Sequence, residues 1–218
     1  MSSALIVSVE QLRVARGGRT VLDMPAWSLE PGAHAVLLGP SGSGKTTLLH
    51  CIGGLIRPDA GRVAVAGRDL AGFSGGALDI FRGQTIGIVF QTLRLVRALT
   101  VAQNLELALH LARRKPDPRR IADTLARLGV DHLAGARPNR LSVGEQQRAA
   151  IARAVVAAPR LILADEPTSA LDDDNAAAAV ALLQTEARAA GAALIVATHD
   201  RRIAGAFSQT TQLEAARA

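Results

Sequence analysis

Short apolar runs recur along the chain, separated by stretches with helical spacing. His34–Leu38 is one such run and stops at Gly39; Ile86–Phe90, Leu161–Ala164 and Leu194–Ala197 are of the same kind. Runs this short, rich in Val, Ile and Leu, suit strands buried on both faces. Residues 4–14 and 20–29 read as strands of an N-terminal sheet. Ile56–Gly61 reads as a turn, after which Val63, Val65 and Gly67 alternate as in a strand. The stretch Lys45–Gly53 predicts a helix. Helical patterns dominate from about 100 to 157, broken near 116–118 and 135–138, where prolines fall. An alanine-rich helix is predicted over 173–190, opened by Asp172, Asp173 and Asp174, acids that suit the positive end of a helix. Strands separated by helices imply parallel βαβ units and an α/β fold class, with the helical block over 92–155 inserted into it.

The length of 218 residues suits one domain with a substantial core. A chain that is 49% hydrophobic and 20% charged is globular rather than disordered. The mean hydropathy of +0.20 is high, yet no apolar run approaches the roughly 18 residues of a membrane helix, so no span is expected. The first ten residues have no basic region and no cleavage site, so no signal peptide is expected. The single cysteine, Cys51, forbids an intramolecular disulfide, fits a reducing cytoplasm and reads as core. Aromatics at 2%, with no tyrosine, argue against stacking platforms for single-stranded nucleic acid.

The net charge of +6 is concentrated. Residues 92–155 hold 12 Lys and Arg against 5 Asp and Glu, including Arg113–Lys115 and Arg119–Arg120. A solvated arginine-rich face accounts for this as well as an anionic membrane surface or nucleic acid does. Only Lys45 and Lys115 are lysines, so a lysine where arginine is the usual cation points to a specific task.

Gly39-Pro40-Ser41-Gly42-Ser43-Gly44-Lys45-Thr46 fits G-x-x-x-x-G-K-[ST] between a predicted strand and a predicted helix. Glycines let backbone N–H groups turn inward around phosphate oxygens, and the helix adds its positive end. Lys45 suits the β- and γ-phosphates, and the Thr46 hydroxyl suits Mg²⁺. Asp165 and Glu166 end a buried strand. Asp165 suits Mg²⁺, directly or through water, and Glu166 suits a general base acting on water. Ligands of open α/β sheets bind at the carboxyl ends of the strands, so these acids are expected to face the loop.

Further motifs follow in a set order: Gln91 at a strand end, Leu141-Ser142-Val143-Gly144-Glu145, Asp165 and Glu166, Ser169–Asp172, and His199 in Ala197–Asp200. With the phosphate loop they resemble, over nearly the whole chain, the nucleotide-binding subunit of an ATP-binding-cassette (ABC) transporter. The resemblance implies a single ABC ATPase domain. Its P-loop NTPase (RecA-like) core would comprise 1–91 and 156–218, with an N-terminal antiparallel β subdomain and an inserted α-helical subdomain over 92–155. It implies ATP and Mg²⁺ as cofactors. The residues 39–46 with Thr47 would hold the nucleotide, and Thr46, Gln91 and Asp165 the metal. Lys45, Glu166 and His199 would be catalytic, with His199 on the γ-phosphate, and Ser169–Asp172 would be the D-loop. Gln91 would also sense a membrane partner.

Ser142-Val-Gly-Glu145 reads S-x-x-E, a pattern for a helix start in which Glu145 returns the bond to Ser142. The resemblance places the Ser142, Gly144 and Glu145 end against the γ-phosphate held by a second subunit. Two positions depart from the usual pattern. Val143 stands where the family has Gly, and Glu145 where it often has Gln. The position under the adenine, usually aromatic, falls near Arg16. An arginine plane stacks on a base less selectively, so weak discrimination between ATP and GTP is expected. The implied partners are a second ABC ATPase subunit and an integral-membrane permease, with no nucleic acid. The implied location is cytoplasmic, peripheral on the inner face of the plasma membrane. The stretches 86–91 and 99–105 are most similar to the lipoprotein-release and macrolide-export branch. A soluble ABC ATPase acting on nucleic acid and a non-transporting regulatory module are the alternatives.

Overall fold

The computed structural model describes residues 5–168 and 173–214. In chain order its elements are β1 (Val7–Arg16), β2 (Arg19–Leu29), β3 (His34–Leu38), α1 (Lys45–Ile52), β4 (Ala60–Val65), β5 (Arg68–Asp69), α2 (Gly76–Thr85) and β6 (Ile86–Val89). Then follow α3 (Val101–Leu111), α4 (Pro118–Arg127), α5 (Val143–Val155), β7 (Leu161–Asp165), α6 (Asp173–Ala190), β8 (Ala193–Thr198) and β9 (Gln209–Gln212). They form two sheets. One is antiparallel, in the order β2-β1-β4-β5. The other is parallel, in the order β6-β7-β8-β3-β9.

The parallel sheet is covered on both faces, which is why its strands show no polar alternation. Val36, Leu38, Ile162, Ala164, Leu194 and Val196 point to one side and join residues of α3, α4, α5 and α6 in one core. Ala35, Leu37, Leu161, Leu163, Ala193 and Ile195 point to the other side and join α1 and the antiparallel sheet. Each valine, leucine and isoleucine among them contributes about 1.5–3 kcal/mol on burial. The helices between β6 and β7 have no separate core, because Leu105, Leu109, Leu125 and Ile151 share theirs with the sheet.

Parallel register aligns the strand ends. Leu38 lies beside Thr198, Asp165 beside Ala197 and Val89 beside Ala164. The segments that follow β3, β6, β7 and β8 therefore leave one edge of the sheet together, and they carry the candidate chemistry.

Two elements lack a sequence signal. α2 starts in the glycine-rich stretch 74–76 and buries only Phe81 and Thr85. β9 is Gln-Thr-Thr-Gln at the sheet edge, without a buried residue. The segment Ser169–Asp172 lies outside the described residues.

Candidate functional site

β3 delivers the chain to Gly39, and the loop turns into α1 through Gly44 at φ +89°. A Cβ at Gly44 would lie 2.7 Å from the Val21 carbonyl oxygen, so only glycine fits against β2. α1 has no side-chain cap and no acid in its first turn. Its first amides and its positive end are left for an anion. Ser43 Oγ is buried with no hydrogen-bond partner among the described residues, a free hydroxyl inside the same loop. Thr47 follows Thr46 in the first turn of α1.

Lys45 is only 5% exposed. Its Nζ donates to the carbonyls of Gly39 (2.8 Å) and Pro40 (3.0 Å) and stands 3.5 Å from Glu166 Oε1. The loop thus curls around its own lysine, which reaches the acid at the end of β7. Beside this pair the Thr46 hydroxyl donates to Asp165 Oδ1 at 3.0 Å. Burial pushes the Asp165 carboxyl above its ordinary pKa, and the Thr46 hydrogen bond works against that shift. These adjacent hard oxygens fit Mg²⁺, which binds through one or two protein oxygens plus phosphates and water. Among the described residues no group of three or more His, Cys, Asp or Glu forms a metal cage.

Glu166 adopts φ +46°, a left-handed conformation unusual for glutamate. Its N–H donates to Ala197 O at 2.8 Å. Its carboxylate accepts from Thr198 Oγ1 (3.3 Å) and lies 2.9 Å from His199 Nδ1. A strained backbone held by β8 and three side-chain neighbours is a preorganised carboxylate. Thr198, buried at the strand end, escapes sequence reasoning. Its one visible signal is its place beside His199.

The remaining candidates stand apart from this cluster. Ser142 caps α5: its Oγ accepts from Glu145 N at 3.4 Å, and Glu145 Oε2 accepts from Ser142 N at 2.7 Å. The Ser142 amide, then its hydroxyl, holds the Glu145 carboxyl below its ordinary pKa. Val143 is 54% exposed, and a Cβ at Gly144 would meet nothing within 4 Å. No hydrogen bond or ion pair joins this end to the phosphate loop among the described residues. Gln91 lies two residues beyond β6, exposed, at the same sheet edge as Glu166. Arg16 is the last residue of β1, exposed and opposite Arg19 across the Gly17–Gly18 turn.

Comparisons with known proteins point one way. Residues 22–169 match the family described as ABC transporter. The chain is 44% identical over 185 residues to the lipoprotein-releasing system ATP-binding protein LolD of Anaeromyxobacter dehalogenans, covering 84% of this chain and 77% of that one. It is 39% identical over 195 residues to the ABC transporter ATP-binding protein YtrE of Bacillus subtilis, covering 88% and 84%. The dimeric, post-hydrolysis structure of the ATP-binding cassette MJ0796 bound to ADP and phosphate matches with a TM-score of 0.87 at 32% identity, over 97% of each chain.

Proposed function

This chain belongs to the ABC transporter family of ATP-binding proteins and is an ATPase, and on that footing we propose how it works and with what. It pairs head-to-tail with a second ATPase subunit around two ATP molecules and drives a separate integral-membrane permease. The observation that carries this reading is the contact of buried Lys45 with buried Glu166, which the exposed His199 also meets, beside the Thr46–Asp165 pair and under the uncapped start of α1.

The loop amides and Lys45 cradle the β- and γ-phosphates, with Lys45 shifting from the Gly39 and Pro40 carbonyls onto phosphate oxygens. Thr46 and Asp165 would hold Mg²⁺, with Gln91 nearby on the same edge, and the ion would neutralise charge on the phosphoryl oxygens. Glu166 orients the attacking water and takes its proton. His199 and Thr198 fix the Glu166 carboxylate, and His199 also reaches the γ-phosphate. Catalysis is then positioning and charge stabilisation by groups already in place. The partner's α5 start, at Ser142 and Gly144, closes over the γ-phosphate, so hydrolysis removes what joins the halves. Val143 puts β-branched bulk at that approach.

Among the described residues no helix is long and apolar enough to cross a membrane. We place the chain on the cytoplasmic face of the inner membrane as a peripheral subunit. A groove of about 730 Å³ between α2 and α3, lined by Ile80, Phe90, Val96, Leu107 and Leu111, opens beside Gln91 and takes the permease. The LolD relatives favour lipoprotein release or export as the task.

Glu166→Gln tests the reading. It should bind ATP, hydrolyse it at least 100-fold more slowly than the native chain, and accumulate as a closed dimer by light scattering. A fully active variant removes Glu166 from its role. Hydrolysis of ATP and GTP under matched conditions tests Arg16; a strong ATP preference refutes weak base discrimination.

A further inference from the structure

The turn between α3 and α4 holds five cations within eight residues: Arg113, Arg114, Lys115, Arg119 and Arg120. Asp117 is the one acid among them, and its carboxylate caps α4 by accepting from Arg120 N at 2.9 Å. Arg113, Arg114, Lys115 and Arg119 are exposed, and Arg120 is half-buried. Among the described residues none of these five side chains makes a hydrogen bond or an ion pair. The fold accounts for two of them. Arg114 and Lys115 follow the negative end of α3, where cations stabilise a helix.

The other three sit where they work against the fold. Arg113 ends α3 at φ +56°. Its N–H donates to His110 O and that of Arg114 donates to Leu109 O, both at 2.9 Å. This is a Schellman ending, whose left-handed position is usually glycine because a side chain is strained there. Arg119 and Arg120 stand in the first turn of α4, which has no acid of its own. The positive end of a helix repels cations. Three arginines kept at such positions point to a task for their charge. Their surroundings say what that charge meets. Leu111, 59% exposed, and Arg113 both line the groove that takes the permease. A permease docked there brings its bilayer next to the turn. Pro116 and Pro118 are exposed beside the cations. Apolar groups among unpaired cations suit a headgroup layer, where phosphates meet the charges. The turn and its two flanking helices contain no aromatic residue to stack on bases.

We propose that the α3–α4 turn is a contact surface for anionic phospholipid, made by Arg113, Arg114, Lys115, Arg119 and Arg120. It holds the chain against the headgroups beside the permease. The contact is electrostatic and weakens as salt rises. The inference rests on the permease reading of the groove and adds to it a second, direct hold on the bilayer.

Sedimentation with lipid vesicles tests this, using the full chain without permease or nucleotide. Vesicles of phosphatidylcholine with about 30% phosphatidylglycerol should carry the chain down at low salt and release it at about 0.5 M; pure phosphatidylcholine vesicles should not bind it. Each cation near such a surface contributes about fivefold to partitioning. Arg113→Gly should lower partitioning by about that factor and keep or raise the melting temperature, since glycine suits the left-handed position. Arg119→Gln with Arg120→Gln should lower it about 25-fold. Arg137→Gln with Arg140→Gln removes the same charge from another exposed loop and should change it by no more than about twofold. Equal binding to uncharged vesicles, either turn variant within twofold of native, or an equal fall in the Arg137 and Arg140 variant each overturns the inference. So does tighter binding to duplex DNA than to the charged vesicles at equal phosphate, which would make the turn a nucleic-acid contact. Capture of a membrane permease by the chain is measured separately. A chain that captures one yet ignores the vesicles removes this inference alone. A chain that binds the vesicles through the turn yet captures none removes the permease reading instead.

Discussion

α1 and α5 both present an N-terminus to phosphate in the proposed mechanism, and they are built in opposite ways. α1 starts at a left-handed glycine with no side-chain cap, walled by β2 and the buried Lys45. α5 starts with a complete capping box in solvent. The first leaves its amides open and so depends on a ligand to satisfy them. The second satisfies the Ser142 and Glu145 amides itself and leaves only those of Val143 and Gly144. A helix end that is complete alone can join and leave an interface at little cost to the fold. One half of the site is thus permanent, and the other is suited to come and go.

The largest effect should come from separating the two halves by mutation. Lys45→Met disables the loop of its own subunit. Gly144→Asp puts a carboxylate at the α5 end, where its Cβ meets open space. An acid in a first helical turn favours the fold, so any loss there is repulsion of phosphate rather than unfolding. Each variant alone should lose at least about 100-fold in turnover. Mixed together they should recover to roughly a quarter of native, since half the dimers carry one intact site of two. No recovery would break the head-to-tail arrangement. Activity in unmixed Gly144→Asp would remove the α5 end from the site.

Stability should separate the same regions. Burial raises the Asp165 pKa, so above the carboxyl's unfolded pKa its charge costs folded stability. Asp165→Asn keeps an oxygen for the Thr46 hydroxyl and sheds that charge. Its melting temperature without nucleotide or metal should rise by about 2–4 °C for each 1 kcal/mol recovered, while hydrolysis is lost. A fall in melting temperature would deny the burial cost. His34, at the far end of β3 from the loop, is buried with Nε2 unpartnered among the described residues. Burial, then the charge of Arg188, lowers its pKa below 6.5. The unfolded chain then takes up that proton first, so His34 erodes stability as pH falls through about 6.5. The drop in melting temperature between pH 7.5 and 5.5 should be smaller in His34→Gln; an equal drop would clear His34.

What the sequence discloses follows the range of the interaction. The phosphate loop, the buried strands and the capping box are local spacings, and Lys45, Ser142 and Glu145 lie where their patterns predict. The helix over 173–190 has its predicted limits because its alanine run is local too. α2 escapes because glycines hide its start and its apolar residues are divided, Phe81 buried in the core and Ile80 on a groove. The grip of Arg153 on residues 59 and 60 positions away leaves no spacing to read. Nor does the left-handed backbone of Glu166, which is set by the neighbouring β8. Gln91, Arg16 and His199 take their roles from resemblance, and of these, among the described residues, the fold brings only His199 into contact with another candidate.

The smallest effect should come from the charge on the exposed half. Glu145 is ionised at ordinary pH, since the Ser142 amide and hydroxyl lower its pKa, and it sits in the first turn that would meet phosphate. Gln at this position keeps both bonds of the capping box, because an amide oxygen accepts from the Ser142 N–H as a carboxylate does. Glu145→Gln should therefore fold as well as native while removing one like charge from the closing interface. The carboxylate is solvent-exposed and screened by salt over about 8–10 Å. In an otherwise Glu166→Gln chain, the ATP-bound dimer should tighten only about threefold at low salt and converge with its parent at 0.5 M salt. An effect that persists at high salt would mean that Glu145 acts through shape, and the contrast between a helix start that carries an acid and one that carries none would lose its electrostatic part.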